Sequence, residues 1–362
     1  MFWILLAACA PETAPAPFYA PDALGPALIG TEEVETEGPG GLILPTQLWF
    51  PASSADEGSY YEYDDLIAGT ALEDGVPACE APLPVLIFSH GNGGVRFQSI
   101  FFTERLASHG LLVAAPDHVG NTFFDNSTPR VELMERRPQD VAAVFDQLIA
   151  LSADPESLIY GCVDADAGYI VAGHSFGGYT SLAVAGADLD VVASANFCDS
   201  VGGWLCEDLV TWSTNNPSEE ALSGHDPRAW AALPMSPAGH EVLVGGLPQI
   251  NIPTFILSGL QDDLTPWESQ PVADYELLTV TPRALLGIDG AGHYSFSDAC
   301  DLVPTYPDCD PPYRAPEDIH AQINTVATAW IKQLLEPERA SEYSPWLPPA
   351  GDETLVYEEA LR

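Results

Sequence analysis

The sequence predicts an α/β protein in which a mostly parallel central sheet carries helices on both faces. Three observations predict it. Strand-like and helix-like segments alternate from Pro84 onwards, a glycine-flanked serine stands between an apolar strand and a helical run, and 46% of the 362 residues are hydrophobic against 18% charged. That composition supplies a large core and excludes a disordered chain.

Leu42 to Phe50 reads as an early strand, and Pro84 to Ser89 as a short buried strand ending in the turn His90-Gly91-Asn92-Gly93-Gly94. Gln98 to His109 has apolar residues at Ile100, Phe101 and Leu106 and is closed by Gly110, the pattern of a helix, before Leu111 to Ala115 returns to strand. Asp140 to Leu151 places Val141, Val144, Phe145 and Leu148 on one helical face, and Tyr169 to Ala172 follows as a strand. Val191 to Phe197, Pro253 to Ser258 and Arg283 to Ile288 also read as strands, and His320 to Leu335 as a closing helix. Between them, residues 200–249 break the rhythm and carry Trp204, Trp212, Trp230 and Met235, as a cap-like, pocket-forming insertion after the sixth strand would. One domain over residues 31–336 is expected, with a Pro/Ala-rich tether over 10–30 before it and an acidic tail over 337–362 behind it, either an ordered strap or loose.

Eleven Lys and Arg face 53 Asp and Glu, for a formal net charge of −42. No run gathers the basic residues into a groove-sized patch, so nucleic acid is excluded as a partner, and free anions are disfavoured as substrates. Such acidity reads as the solvated surface of an exported or salt-exposed protein. Residues 1–9, MFWILLAAC, resemble a bacterial lipoprotein signal, with Leu6-Ala7-Ala8-Cys9 as the lipobox and Cys9 as the lipid attachment site. A membrane would then be met only through that anchor. Six cysteines remain: Cys79, Cys162, Cys198, Cys206, Cys300 and Cys309. They suit disulfides in an oxidising compartment, periplasmic, cell-surface or secreted. Fifteen full pairings are open to them. Short loops favour Cys198 with Cys206 and Cys300 with Cys309, which leaves Cys79 with Cys162.

The chemistry is carried by Gly173-His174-Ser175-Phe176-Gly177-Gly178, a G-x-S-x-G turn between the strand YIVA and the helical run YTSLAVAG. A nucleophilic serine has to stand at the tip of a strained strand-to-helix turn, and glycines on both sides let the backbones pass without a Cβ clash. The amide of Phe176 then points from the helix N-terminus towards a developing oxyanion. Ser175 needs a base and an acid in the chain order Ser, Asp or Glu, His. His293 follows the strand RALLGI and is the candidate base, and Asp262 follows the strand TFILS and is the candidate acid. Asp199, after VVASANF, is the alternative acid, and Asp263 is expected to face solvent. All of these stand where the strands of a parallel sheet end at one edge, so distant residues converge there.

With those residues in place, the chain resembles a bacterial member of the α/β-hydrolase superfamily, in the group of platelet-activating-factor acetylhydrolases, predicted dienelactone hydrolases and cutinase-like polyester hydrolases. The resemblance rests on FSHGNGG (Phe88 to Gly94), LASHGLLVAAPDHVGNT (Leu106 to Thr122), GHSFGGYT (Gly173 to Thr180), GLQDDLTP (Gly259 to Pro266) and GAGHYSFSD (Gly290 to Asp298). It implies an oxyanion site made by the backbone N–H groups of Asn92 and Phe176. It also implies that an acid at Asp199 would match the eukaryotic acetylhydrolases, and one at Asp262 most other members of the superfamily.

No metal and no cofactor are expected. Asp164, Asp166, Asp298, Asp301, Asp308 and Asp310 lack an EF-hand register, and HGNGG lacks the spacing of a dinucleotide turn. The reading is therefore a monomeric serine carboxylic-ester hydrolase for uncharged esters, short-acyl phospholipids or polyesters. A dienelactone-type hydrolase and a non-catalytic extracellular binding protein on the same fold are the alternatives.

Overall fold

The computed structural model describes residues 17–55, 58–202, 206–215, 221–348 and 355–360. Cys9, the apolar segment before it and Trp204 lie outside the described residues.

The chain opens on the antiparallel pair β1 (Leu28–Glu37) and β2 (Ile43–Ala55), followed by the short strands β3 (Tyr60–Tyr63), β4 (Ile67–Leu72) and β5 (Gly75–Pro77). Alternation then sets in with β6 (Val85–Ser89), α1 (Ile100–Ser108), β7 (Leu112–Pro116), α2 (Arg130–Ala153), β8 (Tyr169–His174) and α3 (Phe176–Val184). A two-stranded ribbon, β9 (Leu189–Asp190) with β10 (Ala221–Leu222), brackets α4 (Val191–Val201) and α5 (Cys206–Asn215). Then come β11 (Ala229–Met235), α6 (His240–Leu243), β12 (Thr254–Gly259), α7 (Pro271–Leu277) and β13 (Arg283–Ile288). The chain closes with α8 (Ala299–Leu302), α9 (Pro316–Leu335), α10 (Ala340–Tyr343) and β14 (Leu355–Ala360).

The main sheet runs in the order β14, β13, β12, β11, β8, β6, β7, β2, β1, β4, β3, with β5 on β2. From β13 to β7 every neighbouring pair is parallel. Side chains alternate between its faces with a period of two residues. Val85 and Ile87 of β6 and Tyr169 and Val171 of β8 enter one core with α2 and α3. Leu86 and Phe88, with Ile170 and Ala172, enter the other with α1 and α9. Both faces are covered, which is why these strands read as unbroken apolar runs.

Three expectations are corrected. Val191 to Phe197 is not a strand but the start of α4: the Asp190 carboxylate caps it, accepting from Ala193 N at 2.7 Å, and the buried residues Val191, Ser194 and Cys198 recur at helical spacing. The sheet strand at that point of the fold is β11, inside the stretch read as an insertion. Its sequence AWAALPM is rich in alanine and contains proline, both unusual in strands, but it lies between β8 and β12 under α3. Finally, β1 begins at Leu28, inside the segment read as a tether. The residues before it pack along α1, where Gly25 N donates to Ser108 Oγ at 2.8 Å. The tail is in part an ordered strap: Tyr343 is buried and meets Phe18, and β14 pairs antiparallel with β13.

Disulfides join Cys79 to Cys162, Cys198 to Cys206 and Cys300 to Cys309, compatible with an exported protein. Among the described residues no helix is long and apolar enough to cross a membrane. The bridges close loops of very different length, with sequence separations of 83, 8 and 9. On chain-entropy grounds, removing Cys79–Cys162 should cost about 4.5 kcal/mol and removing either short clip about 2.5. Denaturant midpoints of the three double Cys→Ala variants check this; equal losses would refute it.

Candidate active site

Ser175 sits between β8 and α3 with φ 58° and ψ −116°, a backbone conformation that side-chain-bearing residues rarely adopt. The turn is held by hydrogen bonds. Ser175 N donates to Met235 O at 2.9 Å, and Ser175 O accepts from Gly178 N at 2.8 Å and Ala238 N at 3.2 Å. A Cβ at Gly177 would stand 1.8 Å from Ser89 O, and one at Gly173 2.5 Å from Gly177 O, so neither position admits a side chain.

His293 and Asp262 arrive from the ends of β13 and β12, as the chain order predicts. His293 Nε2 is 2.9 Å from Ser175 Oγ, and His293 Nδ1 is 2.8 Å from Asp262 Oδ2. All three side chains are buried to within a few per cent. The Asp262 carboxylate also shapes its own turn, accepting from Leu264 N at 2.9 Å, Thr265 N at 2.7 Å and Thr265 Oγ1 at 2.7 Å. Burial pushes its pKa up, but the hydrogen bond and charge of His293 and the Thr265 donors outweigh burial and hold it below the ordinary carboxylate range. Asp263 is exposed, as expected. Asp199 is exposed on α4, away from the strand ends; the residue that follows β11, where the alternative acid would have to stand, is Ser236.

Asn92 lies across from the serine in the turn after β6, where Gly93 takes φ 66° and Gly94 N closes the turn on Gly91 O at 3.1 Å. Asn92 Oδ1 accepts from Asn121 Nδ2 at 2.9 Å. The backbone N–H of Phe176 opens α3.

Four residues to which the sequence assigns no part in this site complete the frame. His174 Nε2 donates to the His293 carbonyl at 2.9 Å, while its Nδ1 accepts from Gln98 Nε2 at 3.1 Å. Burial lowers the His174 pKa to about 3, so it is a neutral brace. Gln98 Oε1 in turn accepts from Gly91 N at 3.0 Å. Thr265 could have been found as the last residue of an Asp-x-x-Thr turn. Asp308 carries no sequence signal: it accepts from Tyr294 N at 2.6 Å across the Cys300–Cys309 loop.

The serine and histidine open into a cavity of about 410 Å³. Its apolar wall comes from Phe123, Phe124, Leu264, Leu302, Val303 and Tyr306, and none of its lining residues is an Asp, Glu, Lys or Arg. Among the described residues of 200–249, the expected pocket wall is not there. Met235 is in the sheet core, Trp212 and Trp230 pack on the cores, and no lining residue comes from that stretch. Among the described residues, no group of three His, Cys, Asp or Glu side chains could hold a metal ion.

The family profile of platelet-activating factor acetylhydrolase, isoform II, matches residues 70–137. No curated protein matches the chain. The matched segment runs from β4 into α2 and includes the Asn92 turn but not Ser175, Asp262 or His293. The chain is thus similar to a family of ester hydrolases, and its mostly parallel sheet with helices on both faces is that of the α/β-hydrolase fold.

Gly177→Ala should lose about 3 kcal/mol of stability, because the clash is with backbone that cannot easily move aside. That corresponds to about 4 °C in the thermal midpoint of a chain this long, and a midpoint equal to the parent's would contradict it.

Proposed function

We propose that this protein is an exported serine carboxylic-ester hydrolase. The observation that carries the reading is the continuous hydrogen-bonded line from Ser175 Oγ through His293 to Asp262 at the mouth of an uncharged cavity. Ser175 Oγ attacks the acyl carbonyl while His293 Nε2 takes its proton. Asp262 holds the Nδ1–H tautomer and the imidazolium that forms. The carbonyl oxygen becomes an oxyanion facing the N–H groups of Asn92 and Phe176. His293 then protonates the departing alkoxide, and a water activated by the same imidazole releases the acid.

Substrate class follows from the cavity. With no ammonium or guanidinium in its lining and a net charge of −42 around it, an anionic group beside the scissile bond finds no partner. Uncharged esters, short-acyl phospholipids and polyester chains fit the apolar and aromatic wall. Export, lipid attachment through Cys9 and a monomeric state belong to the same proposal; the three disulfides support the first of these.

A fluorophosphonate probe should label the wild-type protein and not Ser175→Ala; equal labelling, or none, refutes the reading. On p-nitrophenyl esters, Asp262→Asn should lower kcat by about four orders of magnitude. Asp199→Asn should stay within twofold of wild type, and the reverse pattern would move the acid to α4. Uncharged acyl chains should be cleaved far faster than a succinyl half-ester of the same length.

A further inference from the structure

One buried cation has no part in the proton relay yet lies under both members of the oxyanion site. Arg137, on α2, is fully buried. Its Nη1 donates to Asn121 Oδ1 at 3.1 Å, and Asn121 passes the contact on, its Nδ2 donating to Asn92 Oδ1 at 2.9 Å. Its Nη2 donates to Ser89 Oγ at 3.2 Å and to the His90 carbonyl. Its guanidinium carbon lies 4.5 Å from the centre of the Phe176 ring. The same guanidinium therefore reaches the turn that presents Asn92 and the residue that opens α3.

No carboxylate touches the guanidinium among the described residues; Asp140, which also lies 3.9 Å from Arg136 Nε, is reached only through a relay. Ser89 Oγ is 2.8 Å from His118 Nε2, and His118 Nδ1 is 2.8 Å from Asp140 Oδ2. With the buried imidazole neutral, the line reads Arg137 to Ser89, Ser89 to His118, His118 to Asp140, each donating to the next. His118 N also donates to His90 Nε2 at 3.0 Å, so the whole segment from Ser89 to Asn92 is gripped from beneath. Arg137 Nε and Asp140 Oδ1 have no hydrogen-bond partner among the described residues. A unit that leaves two buried polar atoms unpaired is a poor stability device. Its neighbour Pro138 has no N–H, which frees the Met134 carbonyl to accept from Tyr179 Oη at 3.3 Å and pins α2 to α3.

We propose that Arg137 is the positioning residue of the oxyanion site, setting Asn92 through Asn121 and Phe176 through its face, and so holding the two backbone donors at the spacing the tetrahedral intermediate needs. The inference rests on the serine-hydrolase reading above. Because the donors act when the carbonyl becomes tetrahedral, the effect falls on kcat and leaves ground-state binding alone.

The test uses the full chain with Arg137→Lys, which keeps the charge but not the fork, and Asn121→Ala, which cuts the link to Asn92 and keeps the guanidinium. In folded protein, Arg137→Lys should lower kcat on a p-nitrophenyl ester about 100-fold and Asn121→Ala about 10-fold, with KM within about threefold. The Ki of an aryl trifluoromethyl ketone, which forms a tetrahedral adduct on Ser175, should rise by the same factors as kcat falls. The Kd of the matched ether, which forms no adduct, should not change. Folded variants with kcat within threefold of wild type overturn the proposal, as do KM and the ether Kd rising together with the ketone Ki. If Arg137→Lys fails to fold, Asn121→Ala decides alone. A wild-type protein that neither takes the fluorophosphonate nor cleaves an ester defeats the reading and the inference together, whereas an active wild type with unaffected variants defeats the inference only.

Discussion

One close approach governs the site: the backbone of α3 passes the end of β6 with no room for a side chain at Gly177, whose Cβ would lie 1.8 Å from Ser89 O. That contact fixes the distance between the serine turn and the Asn92 turn, because both leave the sheet from adjacent parallel strands, β8 and β6. The strain at Ser175 persists because the surroundings over-determine it, with β11 taking its N–H and Ala238 and Gly178 its carbonyl. Two glycines at 173 and 177 are thus a single device: one clears the strand side, the other the helix side.

Charge is partitioned in a way the net value hides. The surplus of carboxylates lies largely on the surface, while two of the few cations are drawn inside. Arg96 is nearly buried and meets Glu33, Asp64 and Asp117, tying β1, the turn after β3 and the end of β7 into one corner next to the Asn92 turn. Arg137 serves the other side of that turn. The cavity that the Asn92 turn lines carries no formal charge in its described lining. An acidity of −42 is therefore a property of the shell, and the cavity beside Ser175 and His293 is apolar and uncharged.

Much of this was legible in the sequence, for stated reasons. Parallel strands buried on both faces announce themselves as apolar runs, and a nucleophile turn requires glycines at fixed offsets, so Ser175 and the strands around it could be read directly. Asp262 and His293 meet at Ser175 because strand ends converge on one edge, which the chain order already implies. What failed was local propensity against tertiary context. Val191 to Phe197 has the β-branched start of a strand, and its helical state depends on Asp190 capping it. β11 hides behind alanines and Pro234; it meets β12 in register at Ala232 and Met235, and the missing N–H lies between those points. The braces escaped because they depend on contacts between residues far apart in the chain, such as Gln98 to His174, which no spacing rule contains.

The candidate base is held from three independent sides, and the candidate acid after β12 supplies one of them. Asp262 fixes the ring at Nδ1, His174 fixes the His293 carbonyl, and Asp308 fixes the next amide, at Tyr294. Asp262 alone among these also builds the turn that carries it, since its second oxygen takes the N–H groups of Leu264 and Thr265. A carboxylate at the end of β11 would have to reach the same ring from a position where the chain is already committed: Ser236 takes φ 41°, and its Oγ lies 3.3 Å from Ser258 Oγ. The carboxylate that makes its own loop needs no further support, and it leaves the end of β11 free to hold the serine turn.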